Sequence, residues 1–205
     1  MSIVKLSNNG VKNATAFGSI SSLGSMTFIK KLTASSSATL SFVDGSSDVV
    51  LDDTYKEYVF TFKDIHPATD QKKLRVNFRD GDSDYDATKT TTVFQSYHAE
   101  DDSSAGIAYE GGQDLAQSTA AQNLSPSISN DNDASCSGYL HLFNPSSTTF
   151  VKHFIARVKG YYGGTFSIEH YTAGYCNVTA AIDAVQFDME SGNIDAGDIC
   201  LYGIA

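Results

Sequence analysis

Hydrophobic and polar residues alternate with a period of two over several stretches of the chain. Ala38, Leu40 and Phe42 alternate with Thr39 and Ser41. Tyr58, Phe60 and Phe62 alternate with Val59, Thr61 and Lys63, and Leu74, Val76 and Phe78 with Arg75, Asn77 and Arg79. Successive strand side chains point to opposite sheet faces, so each apolar set lines one face of a strand. Residues 90–98, 139–144, 149–162, 166–175, 184–190 and 198–204 read as further strands; within 149–162, Phe154, Ala156 and Val158 alternate with Ile155 and Arg157. Turn-like segments fall between them: Asp44–Ser47, His66–Asp70 and Asp80–Asp84. About eight to ten strands, with turns at intervals of roughly 8–15 residues, predict an all-β fold, an antiparallel β-sandwich of jelly-roll-like form. Residues 99–138 break the pattern, being polar and rich in Gly and Ser. Short strands or a turn of helix near Asp114–Gln122 are expected there, with loops projecting from one end of the sandwich.

The first 25 residues do not alternate. They are Ser-, Asn-, Ala- and Gly-rich, with isolated apolar residues at Ile3, Leu6, Val11, Phe17, Ile20 and Leu23. Such a segment buries too little of itself to fold alone, whereas each of the six could fill a pocket on a neighbour. The expected organisation is an extended N-terminal anchoring arm over residues 1–25, clasped by a partner, followed by one β-sandwich domain over residues 26–205. The opening residues lack the apolar core of a secretory leader, and no run approaches the ~20 apolar residues of a membrane span, so no membrane role and assembly in a reducing cytoplasm are expected.

Composition sharpens this expectation. The 205 residues are 41% apolar, with 12 Phe, 11 Tyr and no Trp, which predicts an aromatic core. A net charge of −10 argues against coating nucleic acid, which needs clustered Lys and Arg. Residues 1–43 nevertheless hold Lys5, Lys12, Lys30 and Lys31 and no acid, giving a basic arm suited to an acidic neighbour. Cys136, Cys176 and Cys200 form no CxxC pair and are expected as buried free thiols.

Signatures of chemistry are sparse. There is no G-x-S-x-G, H-E-x-x-H, Walker or Rossmann pattern, so no enzyme activity and no cofactor are expected. The histidines His66, His98, His141, His153 and His170 are dispersed. His141 and His153 could face each other across a hairpin, but the sequence offers no third metal ligand. Asp80, Asp82, Asp84 and Asp86 have a calcium-like spacing, yet Tyr85 and Thr91 stand where an EF-hand needs Gly and Glu. A hydrated hairpin tip is the expectation, with calcium as the alternative. Glu100, Asp101, Asp102 and Glu110 would be glycosidase candidates only if paired across a cleft; solvated loop acids are the plainer reading. Among the tyrosines Tyr85, Tyr97, Tyr109, Tyr161, Tyr162 and Tyr171, those at Tyr109, Tyr161 and Tyr162 are the candidate ligand surface, because tyrosine near a loop gives rigid amphipathic contact area.

The stretches Ala180–Phe187 and Ser191–Ile204, together with Thr54–Phe60 and Leu142–Thr148, resemble the strand ends and turns of jelly-roll-like virion structural proteins of tailed, especially marine, bacteriophages. That resemblance implies a capsid-decoration, head-fibre or tail-fibre type of protein, assembled as a homotrimer in the host cytoplasm and resident in the virion. Its partners would be capsid or other virion proteins. For a tail-fibre module they would be a host surface glycan or receptor, bound by the loops of 99–138 and Tyr161–Gly164. The resemblance carries over no catalytic residue. The short arm favours direct attachment to the head.

Overall fold

The computed structural model describes residues 25–163 and 165–205. The anchoring-arm residues Ile3, Leu6, Val11, Phe17, Ile20 and Leu23 lie outside the described residues. Twelve strands follow: β1 (Met26–Thr33), β2 (Thr39–Val43), β3 (Glu57–Pro67), β4 (Leu74–Arg79), β5 (Lys89–Ala99), β6 (Ala105–Tyr109), β7 (Gln122–Asn123), β8 (Cys136–Phe143), β9 (Lys152–Tyr162), β10 (Phe166–Cys176), β11 (Ala184–Met189) and β12 (Ile194–Ile204). No helix occurs among the described residues. The large sheet has the order β1-β12-β3-β8-β9-β10-β5-β6 and the small sheet β2-β11-β4-β7. Every pair is antiparallel.

The path is a jelly roll. Strands β1 to β4 alternate between the large and small sheets, and β7, β8, β11 and β12 return in the same alternation. In the return, β12 lies between β1 and β3, β11 between β2 and β4, β8 beside β3 and β7 beside β4. This is a long hairpin rolled up so that each strand of one arm meets strands of the other. Two additional hairpins, β5–β6 and β9–β10, continue the large sheet beyond β8, making it twice as wide as the small one.

Two expectations about the strands change. Twelve strands replace eight to ten. The last strand begins at Ile194 rather than Asp198, and register shifts at Ile194/Ala196 and Ala196/Asp198 conceal its start from any period-two search. Gly197 has φ 115°, and a Cβ there would lie 2.6 Å from the Asp64 carbonyl oxygen. Asp64 itself has φ 51°, at the irregularity between β3 and β8, so the distortions of adjacent strands sit against each other. Of the two alternatives near residues 114–122, the structure has the short strand, β7 from Gln122, and no helical turn. The backbone of this segment bonds outward instead: Thr91 N donates to Leu115 O at 2.9 Å, and Lys89 and Ser118 exchange both backbone bonds at 2.8 and 2.9 Å. Polar residues without an apolar stripe gain more from a strand edge than from an isolated turn of helix.

The core lies between the sheets and is aromatic, as the composition implies. Phe187 of β11 reaches across from the small sheet to Phe60 and Phe62 of β3, with ring centroids 5.3 and 5.2 Å apart, and meets Phe42 of β2 at 6.3 Å, all edge to face. All four rings are buried. Cys136 and Cys176 are buried free thiols, whereas Cys200 is half-buried on the outer side of β12, which corrects the expectation for that residue. Replacing Phe187→Ala removes the ring that joins both sheets, and is expected to cost about 3–5 kcal/mol in urea unfolding with little change in the denaturant slope. A loss below ~1 kcal/mol would show that the ring is not the joint.

Candidate functional site

The two outer faces of the sandwich differ in kind. On the small sheet the outward residues Arg75 and Arg79 form two-pronged ion pairs with Asp188 (3.0 and 2.7 Å) and Asp183 (2.8 and 3.1 Å). Lys73 faces Glu190 at 3.7 Å. This is a surface composed for water. On the large sheet the register aligns Tyr139, Arg157, Tyr171, Phe94 and Tyr109 in one row across β8, β9, β10, β5 and β6. The neighbouring row aligns Phe28, Tyr202, Val59, His141, Ile155, Ala173 and Thr92 across seven strands. Of the eight large apolar side chains exposed among the described residues, six (Met26, Phe28, Phe94, Ile107, Tyr109 and Ile155) stand on this face. Ile107 is 77% exposed and Ile155 50%. Apolar groups scattered singly are ordinary; their collection on one face of one sheet is not.

The face is also built to stay rigid. Phe94 stacks on Tyr171 with centroids 4.6 Å apart and planes within 3°. Arg157 lies over the Tyr171 ring at 5.2 Å. Its guanidinium donates to both Glu169 oxygens at 2.5 and 3.0 Å, and the Tyr171 hydroxyl donates to Glu169 at 2.7 Å. These bonds hold the Glu169 carboxyl below its usual range, the Arg157 bond foremost. Between Ile155 and the Phe94–Tyr171 pair, the small residues Thr92 and Ala173 leave a trough of two joined depressions, about 420 and 290 Å³ in volume.

A second site lies on the inner side of the same sheet, where the widened part passes beyond the small sheet. Beneath the jelly roll the inward positions are apolar. Along the added hairpins apolar residues (Val93, Phe154, Ala156, Val158 and Ile168) are joined by Lys89, Thr91, Lys152, His170 and Thr172, all buried. Lys152 Nζ is held by the carbonyls of Val178 and Ala180, and Lys89 Nζ by Asn77 Oδ1 (2.5 Å) and the Ala87 carbonyl (2.7 Å). Burial pulls the Lys89 amine down to about 8 and pushes the adjacent Cys176 thiol up to about 12. A thiol so raised is a poor nucleophile. Farther along β10, His170 borders a polar cavity of about 280 Å³ with Lys73, Gln95, Glu110, Gln113 and Tyr162. Its Nε2 meets Gln95 Oε1 at 3.1 Å, and its Nδ1 has no partner. Burial, with the Lys73 charge second, lowers its pKa to about 4.

The sequence candidates are distributed as follows. Tyr109 ends the aromatic row, its hydroxyl donating to Asp114 at 2.5 Å. Tyr161 packs against the core margin and Tyr162 borders the His170 cavity. His141 bonds Glu57 and lies opposite Ile155, while His153 sits beside the Tyr175 ring, so the two histidines make no pair. Asp80, Asp82 and Asp86 bring one carboxylate oxygen each within 4.8 Å of one another, against the six to eight oxygens calcium takes. Asp84 instead closes a local turn, its N–H donating to Asp82 Oδ1 at 2.8 Å. Asp101 caps the Ser103 N–H, Asp102 meets His98 at 3.2 Å and Glu110 faces the polar cavity, so the loop acids go to three places. The trough residues Phe94, Ile155 and Arg157 and the cavity residues Lys73, Gln95 and Gln113 were not singled out from sequence. The available signal was phase: in Thr90–His98, Phe94 is out of step with the buried Thr91 and Val93.

Comparison with protein families, with curated proteins and with solved structures finds no match.

The lowered His170 pKa has a consequence for stability. Unfolded, the ring takes its proton near pH 6.5; folded, it resists to about 4. Its contribution is therefore fully present above pH 6.5 and is lost as pH falls through that window, about 3 kcal/mol in all. Denaturant unfolding at stepped pH should give a steeper acid loss between 6.5 and 4 for the parent chain than for His170→Gln. Parallel profiles would show that the ring is not held neutral.

Proposed function

We propose that this chain is a non-enzymatic virion structural protein of a tailed bacteriophage, a capsid-decoration or head-fibre protein that forms a homotrimer. Residues 1–25 attach it to the head and the sandwich projects. The observation that carries this reading is the contrast between the outer faces: the small sheet is dressed in ion pairs, and the large sheet presents aligned aromatic and apolar rows. A face of that composition is complementary to another protein surface, and identical copies closing on it generate a cyclic assembly. The jelly roll is itself a recurrent building block of virus particles. The resemblance of the strand ends and turns supplies the phage context.

Light scattering of the full chain should give three times its 22.0 kDa mass. Phe94→Ser combined with Ile155→Ser removes two half-exposed apolar groups and the Phe94–Tyr171 stack, so the chain should lose about 1–2 kcal/mol and stay folded, while the trimer dissociates. A variant that stays trimeric removes this face from the assembly. Attachment has its own check. All strand pairs among the described residues begin at Met26 or later, so a chain of residues 26–205 should fold and fail to label phage particles that the full chain decorates. Equal labelling by both chains would contradict the anchoring role of residues 1–25.

One observation favours a second reading, a tail-mounted module that recognises a host surface glycan. It is the polar cavity at His170, which carries an unsatisfied buried acceptor that assembly through the outer face leaves unused.

A further inference from the structure

We propose that the cavity between the inner side of β10–β5 and the 110–127 segment binds a single uncharged sugar ring, with His170 Nδ1 accepting a hydrogen bond from one of its hydroxyls. The inference rests on the glycan-recognition reading and is independent of the trimeric assembly.

Four features of the cavity carry it. The first is the orphan acceptor: His170 is 3% exposed, its Nε2 is taken by Gln95 at 3.1 Å, and its Nδ1 has no partner. With Nε2–H donating to the amide oxygen, the neutral ring presents Nδ1 as a bare lone pair. Buried polar atoms are nearly always satisfied, so an unsatisfied one bordering a cavity marks where a donor belongs. The second is size. At about 280 Å³ the cavity falls just below the ~300 Å³ where drug-sized sites begin, which suits one ring and not a chain of rings.

The third feature is the mixture of groups. Glu110 and His170 Nδ1 accept, Gln95 and Gln113 carry amides, and Ser127 adds a hydroxyl. Sugar hydroxyls donate and accept at once and match such a set. Lys73 is the cavity's one cation, and Glu190 lies 3.7 Å from its Nζ. With Glu110 also present, the site holds no excess positive charge for a phosphate or a uronate. The fourth is the apolar side: Tyr162, Pro126 and Ile168 offer a ring and two hydrocarbon surfaces to the C–H face of a pyranose. Exposure grades inward, from Tyr162 at 39% to Ile168 at 8% and His170 at 3%, which places the His170 ring at the closed end.

The experiment uses the full chain and individual neutral monosaccharides (glucose, galactose, mannose and N-acetylglucosamine), with inorganic phosphate as the charged control. Long-range proton–nitrogen spectra follow His170 Nδ1, and calorimetry measures affinity. At least one sugar should bind saturably and shift Nδ1, and phosphate should not. Glu110→Gln and Gln95→Ala should each weaken binding by about tenfold; thermal unfolding stays near the parent for Glu110→Gln, whereas Gln95→Ala, which leaves His170 Nε2 without its acceptor, lowers it while the chain stays folded. No shift with any sugar, or an Nδ1 occupied by water alone in a sugar-soaked crystal, overturns the inference. Host polysaccharide bound equally by the parent chain and both variants also overturns it, yet leaves glycan recognition standing elsewhere on the surface. A parent chain that binds neither monosaccharide nor polysaccharide removes both.

Discussion

The structure depends on one contact across the sandwich: Phe187 of β11 laid edge-on among Phe42, Phe60 and Phe62. A jelly roll must keep two sheets in fixed register although few strands connect them directly, and directional aromatic packing provides that more stringently than aliphatic burial. Because β11 lies between β2 and β4, and β3 lies next to β12 and β8, fixing Phe187 against β3 fixes the central strands of both layers at once. The bulges of β3 and β12, with Gly197 fitted against Asp64, then bend the large sheet around that joint.

From this frame the two added hairpins follow as an overhang. The small sheet ends at β7, a strand of two residues, whereas the large sheet runs on through β9, β10, β5 and β6. An overhanging sheet has two faces to satisfy, and among the described residues the inner one is covered by loops, 110–130 at one end and the Val178–Ala180 segment beside Lys152. The sequence answers by setting polar residues among the apolar ones of the inner face, with Thr91 Oγ donating to Gln122 Oε1 at 2.6 Å and Gln122 Nε2 donating to the Gln113 carbonyl at 2.9 Å. The outer face it leaves aromatic. Both proposals derive from that geometry: the outer face is suited to another protein surface, and the incompletely filled inner face to a small polar ligand.

Much of the fold was legible because period-two alternation is a direct imprint of a sheet with one buried face. Leu74, Val76 and Phe78 are each buried and their alternates bond across the small sheet, as the pattern implied. What escaped was whatever breaks the period or satisfies both faces. The start of β12 is hidden by two register shifts. Strand β6 (Ala105–Tyr109) carries no buried residue, so its composition reads as loop. Residues 114–122 are tied to β5 by Leu115, Gln117 and Ser118, partners distant in sequence. The site was legible only in fragments, since Tyr109 and Tyr162 were visible as tyrosines near loops while their neighbours Phe94, Ile155 and His170 are brought beside them by strand order. No local signal encodes that β10 pairs with β5.

In the proposed assembly the aromatic face of the large sheet is covered. Hydroxyl-radical footprinting, read by mass spectrometry, compares side-chain accessibility in the isolated sandwich and in the assembled particle. Coverage predicts that Phe94, Tyr109, Ile155 and Tyr171 label readily in the first and are protected in the second, while Tyr85 beside Arg79 labels equally in both. Undiminished labelling of the four aromatic-face residues in the assembly would contradict the account.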